Sequence, residues 1–219
     1  MLRTDPAVAL RRPGRPLPPS FGRRREPRAA AGSTLSSAAS TAFAGLVTAS
    51  VVDSSRVAAA DECLVTRQEK AAPPAAKGEP QLLVLHIAAF TFRLVFLFNF
   101  TADAATRQHL AALLRHPTTE RKALLESYAE YANMVCGAVN RGLGSEFKFT
   151  GMSTPFVLDS SCADYRSTLQ PTEVQTFDIA INQAMRFSLQ VCICVEAGVS
   201  LDVRNFVTES APSGELELF

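Results

Sequence analysis

The chain has 219 residues, 47% of them apolar, and a formal net charge of +1. That is enough for one domain of ordinary size with a sizeable core, plus a tail. Residues 1–30 hold eight of the 22 basic residues against Asp5 and Glu26, which leaves 14 basic and 19 acidic residues for the remainder, so the folded part offers no broad basic surface for nucleic acid.

The cysteines, Cys63, Cys136, Cys162, Cys192 and Cys194, are odd in number and form no C-x-x-C pair or Cys/His cluster. Free thiols in a reducing cytoplasm are therefore expected, rather than a disulfide framework or a metal site. No apolar run reaches the roughly 18 residues of a membrane span. Residues 82–100 come nearest, but His86, Arg93 and Asn99 interrupt them.

Residues 1–33 contain six of the 13 Pro besides those arginines, and their composition predicts a disordered tail. A transit peptide, a solvated tail touching an anionic surface and translation from an upstream start codon are all open. The transit peptide is the least suited, because Pro-rich sequence makes a poor amphipathic helix. Residues 34–207 form the expected domain. Helical spacing of Leu35, Ala38, Ala39, Ala42, Phe43, Leu46 and Ala49 predicts a helix over 35–51, capped by Thr34 or Ser36. A strand is expected over 63–70, then an Ala/Pro/Lys/Gly loop over 71–80. Residues 81–90 and 91–100 read as paired strands. In the second, Phe92, Leu94, Phe96, Phe98 and Phe100 alternate with Arg93, Val95, Leu97 and Asn99, giving one aromatic-rich face.

Thr101 is expected to cap a helix to about Arg115, with Leu110, Leu113 and Leu114 inward. After His116-Pro117 a second helix is expected over 119–141, stopped by Gly142. Strands fit 147–152, 155–158, 174–181 and 186–196, with a weaker one over 199–204. Residues 160–164 read as a loop, and 208–219 as a short acidic tail. The predicted fold is α+β, an antiparallel β-sheet with long helices packed on one side.

The helix over 119–141 is the clearest element. Leu124, Tyr128, Tyr131, Ala132, Val135, Ala138 and Val139 form one apolar stripe. Glu126, Glu130, Asn133 and Gly137 fall on a different face, with Glu130 and Asn133 neighbours one turn apart. Gly137 leaves that face bare beyond them, so another backbone could approach. An acid and an amide at this spacing are a common arrangement by themselves. Asn, however, is a mediocre helix former that solubility does not require.

The stretch EYANMVCGAVNRGL at 130–143, followed by FKFTGMSTP at 147–155, resembles the signature helix of the CheC/CheX/FliY chemotaxis phosphatases. Glu130 and Asn133 match the family's E-x-x-N core, and Pro155 matches its downstream Pro. Two positions depart from the pattern. Glu126 stands where the family has Asp or Ser, and the Asn-to-Pro spacing is slightly shorter. The single E-x-x-N and the NMVCG run are closer to CheX than to CheC.

The resemblance implies hydrolysis of the aspartyl phosphate of a phosphorylated CheY-like response-regulator receiver. Asn133 would position the attacking water, and Glu130 would pair with the receiver's active-site Lys. No cofactor of its own is implied, since Mg²⁺ is expected on the receiver. A homodimer is implied, and the same fold could serve as a non-catalytic module that binds a receiver or a flagellar switch protein. His86, His109, His116 and Ser160, Ser161, Cys162 and Asp164 are weaker candidates, since none has an identifiable oriented partner. His86 reads as a core or edge residue, and His109 and His116 sit on the polar side and at the C-terminal end of a helix.

Overall fold

The computed structural model describes residues 32–69, 81–117 and 120–206. The expected loop over 71–80, the tail over 208–219 and nearly all of the tail over 1–33 lie outside the described residues. In chain order the elements are β1 (Thr34–Leu35), α1 (Ser37–Ser55), β2 (Cys63–Gln68), β3 (Gln81–Ala88), β4 (Phe92–Phe100), α2 (Ala104–Leu114) and α3 (Arg121–Leu143). There follow β5 (Gly151–Met152), β6 (Phe156–Asp159), a 3-10 helix (Ser160–Leu169), β7 (Glu173–Ile181), β8 (Ala184–Val195) and β9 (Ser200–Leu201).

The main sheet is antiparallel in the order β2-β7-β8-β4-β3, and β3 pairs on its outer side with both β5 and β6. β7 and β8 join through Asn182 and Gln183, both at positive φ (52° and 62°), as a two-residue hairpin loop requires. The sheet buries one face against the α-helices, as expected. The alternating Phe92, Leu94, Phe96, Phe98 and Phe100 meet Phe177, Ile179, Phe187 and Leu189 of the neighbouring strands there. Phe43, Leu46, Val47 and Val51 of α1 and Leu124, Tyr131, Val135 and Val139 of α3 close over them. The aromatic-rich strand is therefore core.

Several local expectations need correction. Leu35 belongs to β1, which pairs in parallel with β9, because Ser36 ends the extended segment. The Ser36 hydroxyl accepts from the Ala39 N–H at 3.0 Å, and it donates to Asp202 at 2.6 Å. The weak strand over 199–204 shortens to β9. Thr101 does not cap α2. Asp103 does, accepting from the Thr106 N–H at 2.8 Å, while the Thr101 hydroxyl donates to Asp103 at 2.6 Å. A carboxylate so placed also suits the helix dipole.

Gly142 does not stop α3 but lies buried within it, and the helix ends at Gly144. A Cβ at Gly142 would fall 2.4 Å from Leu46 Cδ1, so the glycine permits α1 and α3 to pack closely. The strand over 147–152 contracts to β5. Residues 160–164 are not loop but the start of the 3-10 helix, with Asp159 accepting from the Ser161 N–H at 2.9 Å. That helix lies on the sheet face away from the α-helices, against Leu82, Val84, Val95, Leu97, Cys192 and Cys194.

Candidate active site on helix α3

The rotation of α3 about its axis decides which side chains face solvent. Two tyrosines fix it. Tyr128 stacks on Phe100 with ring centroids 4.3 Å apart, and its hydroxyl donates to the Thr101 carbonyl at 2.9 Å. Tyr131 is fully buried and shares a 2.6 Å hydrogen bond with the Ser55 hydroxyl of α1. Burial pushes its phenol well above the usual range, so it stays a neutral hydrogen-bonding group. Ring area and a satisfied hydroxyl together make each a firm anchor.

With the apolar stripe held inward, Glu130 is exposed and Asn133 half-buried, one turn apart on the opposite side. Among the described residues neither side chain has a hydrogen-bond or ion-pair partner. Met134 is exposed between them and Gly137. The space above Gly137 is open apart from Arg141 Nη1, 3.6 Å from where a Cβ would stand. Asn140, one turn further, has its Oδ1 buried without a partner. The arrangement presents a carboxylate, a carboxamide and a bare backbone in succession. It can recognise a cation, orient a water and admit a close neighbour.

Glu126 is occupied differently, in an exposed ion pair with Lys122 at 3.8 Å. Such a pair within one helix contributes only a few tenths of a kcal/mol. The weaker candidates are dispersed. His109 is half-buried beside α1, and burial lowers its pKa. His116 is exposed beside the Pro117 carbonyl, and His86 lines the opposite sheet face. Of the nucleophile types at 160–164, Ser161 and Asp164 are exposed on the 3-10 helix, while Ser160 and Cys162 are half-buried, Cys162 against the second sheet face. Cys136 is buried, which raises its pKa, and burial pushes Cys192 up to about 11. Buried thiols of this kind are inert. All five cysteines are free. Among the described residues no group of His, Cys, Asp and Glu is placed to hold a metal ion, and no helix is long and apolar enough to cross a membrane.

The hydrophobic pattern did not single out three exposed apolar side chains. Phe90 (86% exposed) lies in the turn before β4, while Phe149 (75%) and Met152 (36%) lie at β5, the edge strand that α3 touches. Period-two alternation assigns residues to faces but cannot show where an edge is left uncovered.

No family model and no curated protein matches the sequence. Solved structures do match the fold. The CheX of the Borrelia burgdorferi CheX-CheY-BeF3-Mg²⁺ complex superposes with a TM-score of 0.50 at 11% identity, over 70% of this chain and 96% of that one. The Vibrio vulnificus chemotaxis protein CheX gives 0.47 at 17% identity, over 69% and 95%. A CheC-like chemotaxis protein from Shewanella oneidensis gives 0.48 at 15%, over 70% and 95%. The chain thus has a mixed helix and antiparallel-sheet fold like that of CheX in the Borrelia complex.

Proposed function

We propose that the protein is a cytoplasmic phosphatase acting on the aspartyl phosphate of a CheY-like receiver domain. The observation that carries this is the pair of exposed Glu130 and half-buried Asn133, neither with a side-chain partner among the described residues, on the face of α3 opposite its anchored stripe. The CheX fold supports it, since one protein of that fold is known in complex with CheY.

An acyl phosphate is already a reactive bond, so the catalyst needs mainly to place a water in line with phosphorus. A carboxamide does so without adding negative charge beside the phosphoryl oxygens. Asn133 would orient the water. Water oxygen would bond to phosphorus as the phosphorus–carboxylate bond breaks, releasing inorganic phosphate and the receiver's Asp. Mg²⁺ on the receiver would carry the phosphoryl charge. Glu130 would pair with a receiver Lys and fix register, and Gly137 would let the receiver's backbone approach. A homodimer belongs to the same reading, and light scattering of the purified chain tests it.

The decisive measurement is the lifetime of a phosphorylated receiver with the wild type and with Asn133→Ala. The wild type is expected to shorten it, and the variant to lose about a hundredfold of that effect with an unchanged circular dichroism spectrum. An equally active Asn133→Ala overturns the assignment. Receiver binding with no change in phosphate lifetime would make the chain a binding module instead.

A further inference from the structure

The sheet face turned away from the α-helices carries a cavity of about 340 Å³. Leu82 and Val84 of β3 and Leu97 of β4 form its floor, Phe156 and Leu158 of β6 one wall, and Tyr165 of the 3-10 helix the other. Strand register places these side chains together. Leu82 pairs with Leu158, and Val84 with both Phe156 and Leu97, so all point to the same face. Phe156, Leu158 and Tyr165 are exposed, Tyr165 the most.

The strand-borne basic side chains of the lining sit together at one end. His86 pairs with Val95 and Ala88 with Arg93, so His86 and Arg93 sit on a diagonal of one face, within reach of each other's ligands. Arg166 comes over the same row from the 3-10 helix, where it acts on Cys192, the partner of Val95 on β8. Among the described residues three basic side chains line the cavity and no Asp or Glu does. Arg93 is exposed and, among the described residues, has no hydrogen-bond or ion-pair partner. Arg166 donates once, to the Ala163 carbonyl at 3.3 Å. From the Arg93 row to the Leu97 row is four strand residues, about 13 Å. The volume corresponds to about eleven water-sized volumes.

We propose that this cavity binds an amphipathic organic anion, a straight-chain acyl carboxylate with on the order of ten non-hydrogen atoms. The hydrocarbon lies along Leu82, Val84 and Leu97. The carboxylate meets Arg93 and His86, with Arg166 adding charge from above. An apolar floor alone would take any hydrophobe. The cluster of basic groups, with the Arg93 and Arg166 guanidiniums among them and no acid among the described lining residues, selects an anion with its charge at that end.

The test is calorimetric titration of the full chain with octanoate and with octanol, for the wild type and for Arg93→Gln. Arg93 is exposed, so the variant is expected to keep its fold, which circular dichroism checks. Octanoate is expected to bind one per chain and more tightly than octanol. Arg93→Gln is expected to weaken octanoate about tenfold and to leave octanol unchanged. Equal affinity for acid and alcohol, an unchanged octanoate affinity in Arg93→Gln, or no saturable binding each overturns the proposal. So does a homodimer, seen by light scattering, that Phe156→Arg dissociates, because a second copy of the chain would then fill the groove.

Discussion

Gly137 separates two demands that usually coincide. A helix-interior glycine costs up to about 1 kcal/mol relative to Ala, and the space above this one is open except for the flexible end of Arg141. Gly137→Ala is therefore expected to raise the midpoint of thermal unfolding. If the receiver's backbone approaches there, the same variant loses activity on the phosphorylated receiver. More stable and less active is the expected pair of readouts, and a variant that gains both stability and activity would leave Gly137 no role in docking. Asn133 stands out as a candidate in the sequence because a mediocre helix former sits on a polar face that does not need it. That it and Glu130 lack a side-chain partner among the described residues was not legible. Glu126 has an equally suitable acid but is engaged by Lys122, and only side-chain positions distinguish the two.

Among the elements, α3 was read almost to its ends, since its 3.6-residue stripe is long and unambiguous. Its terminus was misread because glycine has two uses, a left-handed stop and a close approach. At Gly142 the second applies. Gly142→Ala is expected to destabilise the protein by about 1 kcal/mol, the overpacking against Leu46 exceeding the gain in helix propensity. In a Leu46→Ala background the same change is expected to become stabilising, and denaturant unfolding of the four variants measures that coupling. The turn before β2 allows a second test. The Ala58 N–H, the Asn182 side chain and the Val57 N–H donate to the Asp61 carboxylate, which lowers its pKa to about 2. A depressed carboxylate stabilises the fold fully above its unfolded pKa of about 4, and that contribution is lost as pH falls toward 2. Asp61→Asn should thus show a smaller loss of stability than wild type between those values, measured by urea unfolding at each pH. Two-residue strands such as β1 and β9 carry no periodicity to detect, and only their pairing reveals them.

At the scale of the molecule, α1, α3 and β3, β4, β7 and β8 share one core. No element buries its apolar face without the others, so unfolding is expected to be one cooperative transition. Far-ultraviolet circular dichroism and the fluorescence of buried Tyr128 and Tyr131 should give coincident midpoints, and separate midpoints would mean that α3 docks independently of the sheet. The sequence by itself determined the α+β class, the long strands, the aromatic inner face of β4 and the side of α3 that faces solvent. These follow from periods of 2 and 3.6, which repeat often enough within one element to be counted. Only the tertiary structure decided the order of strands, the close contact of Gly142 with Leu46, the lack of a side-chain partner for Glu130 and Asn133 among the described residues, and the cluster of His86, Arg93 and Arg166. Each depends on residues distant in the chain meeting at one place, and no local period encodes that meeting.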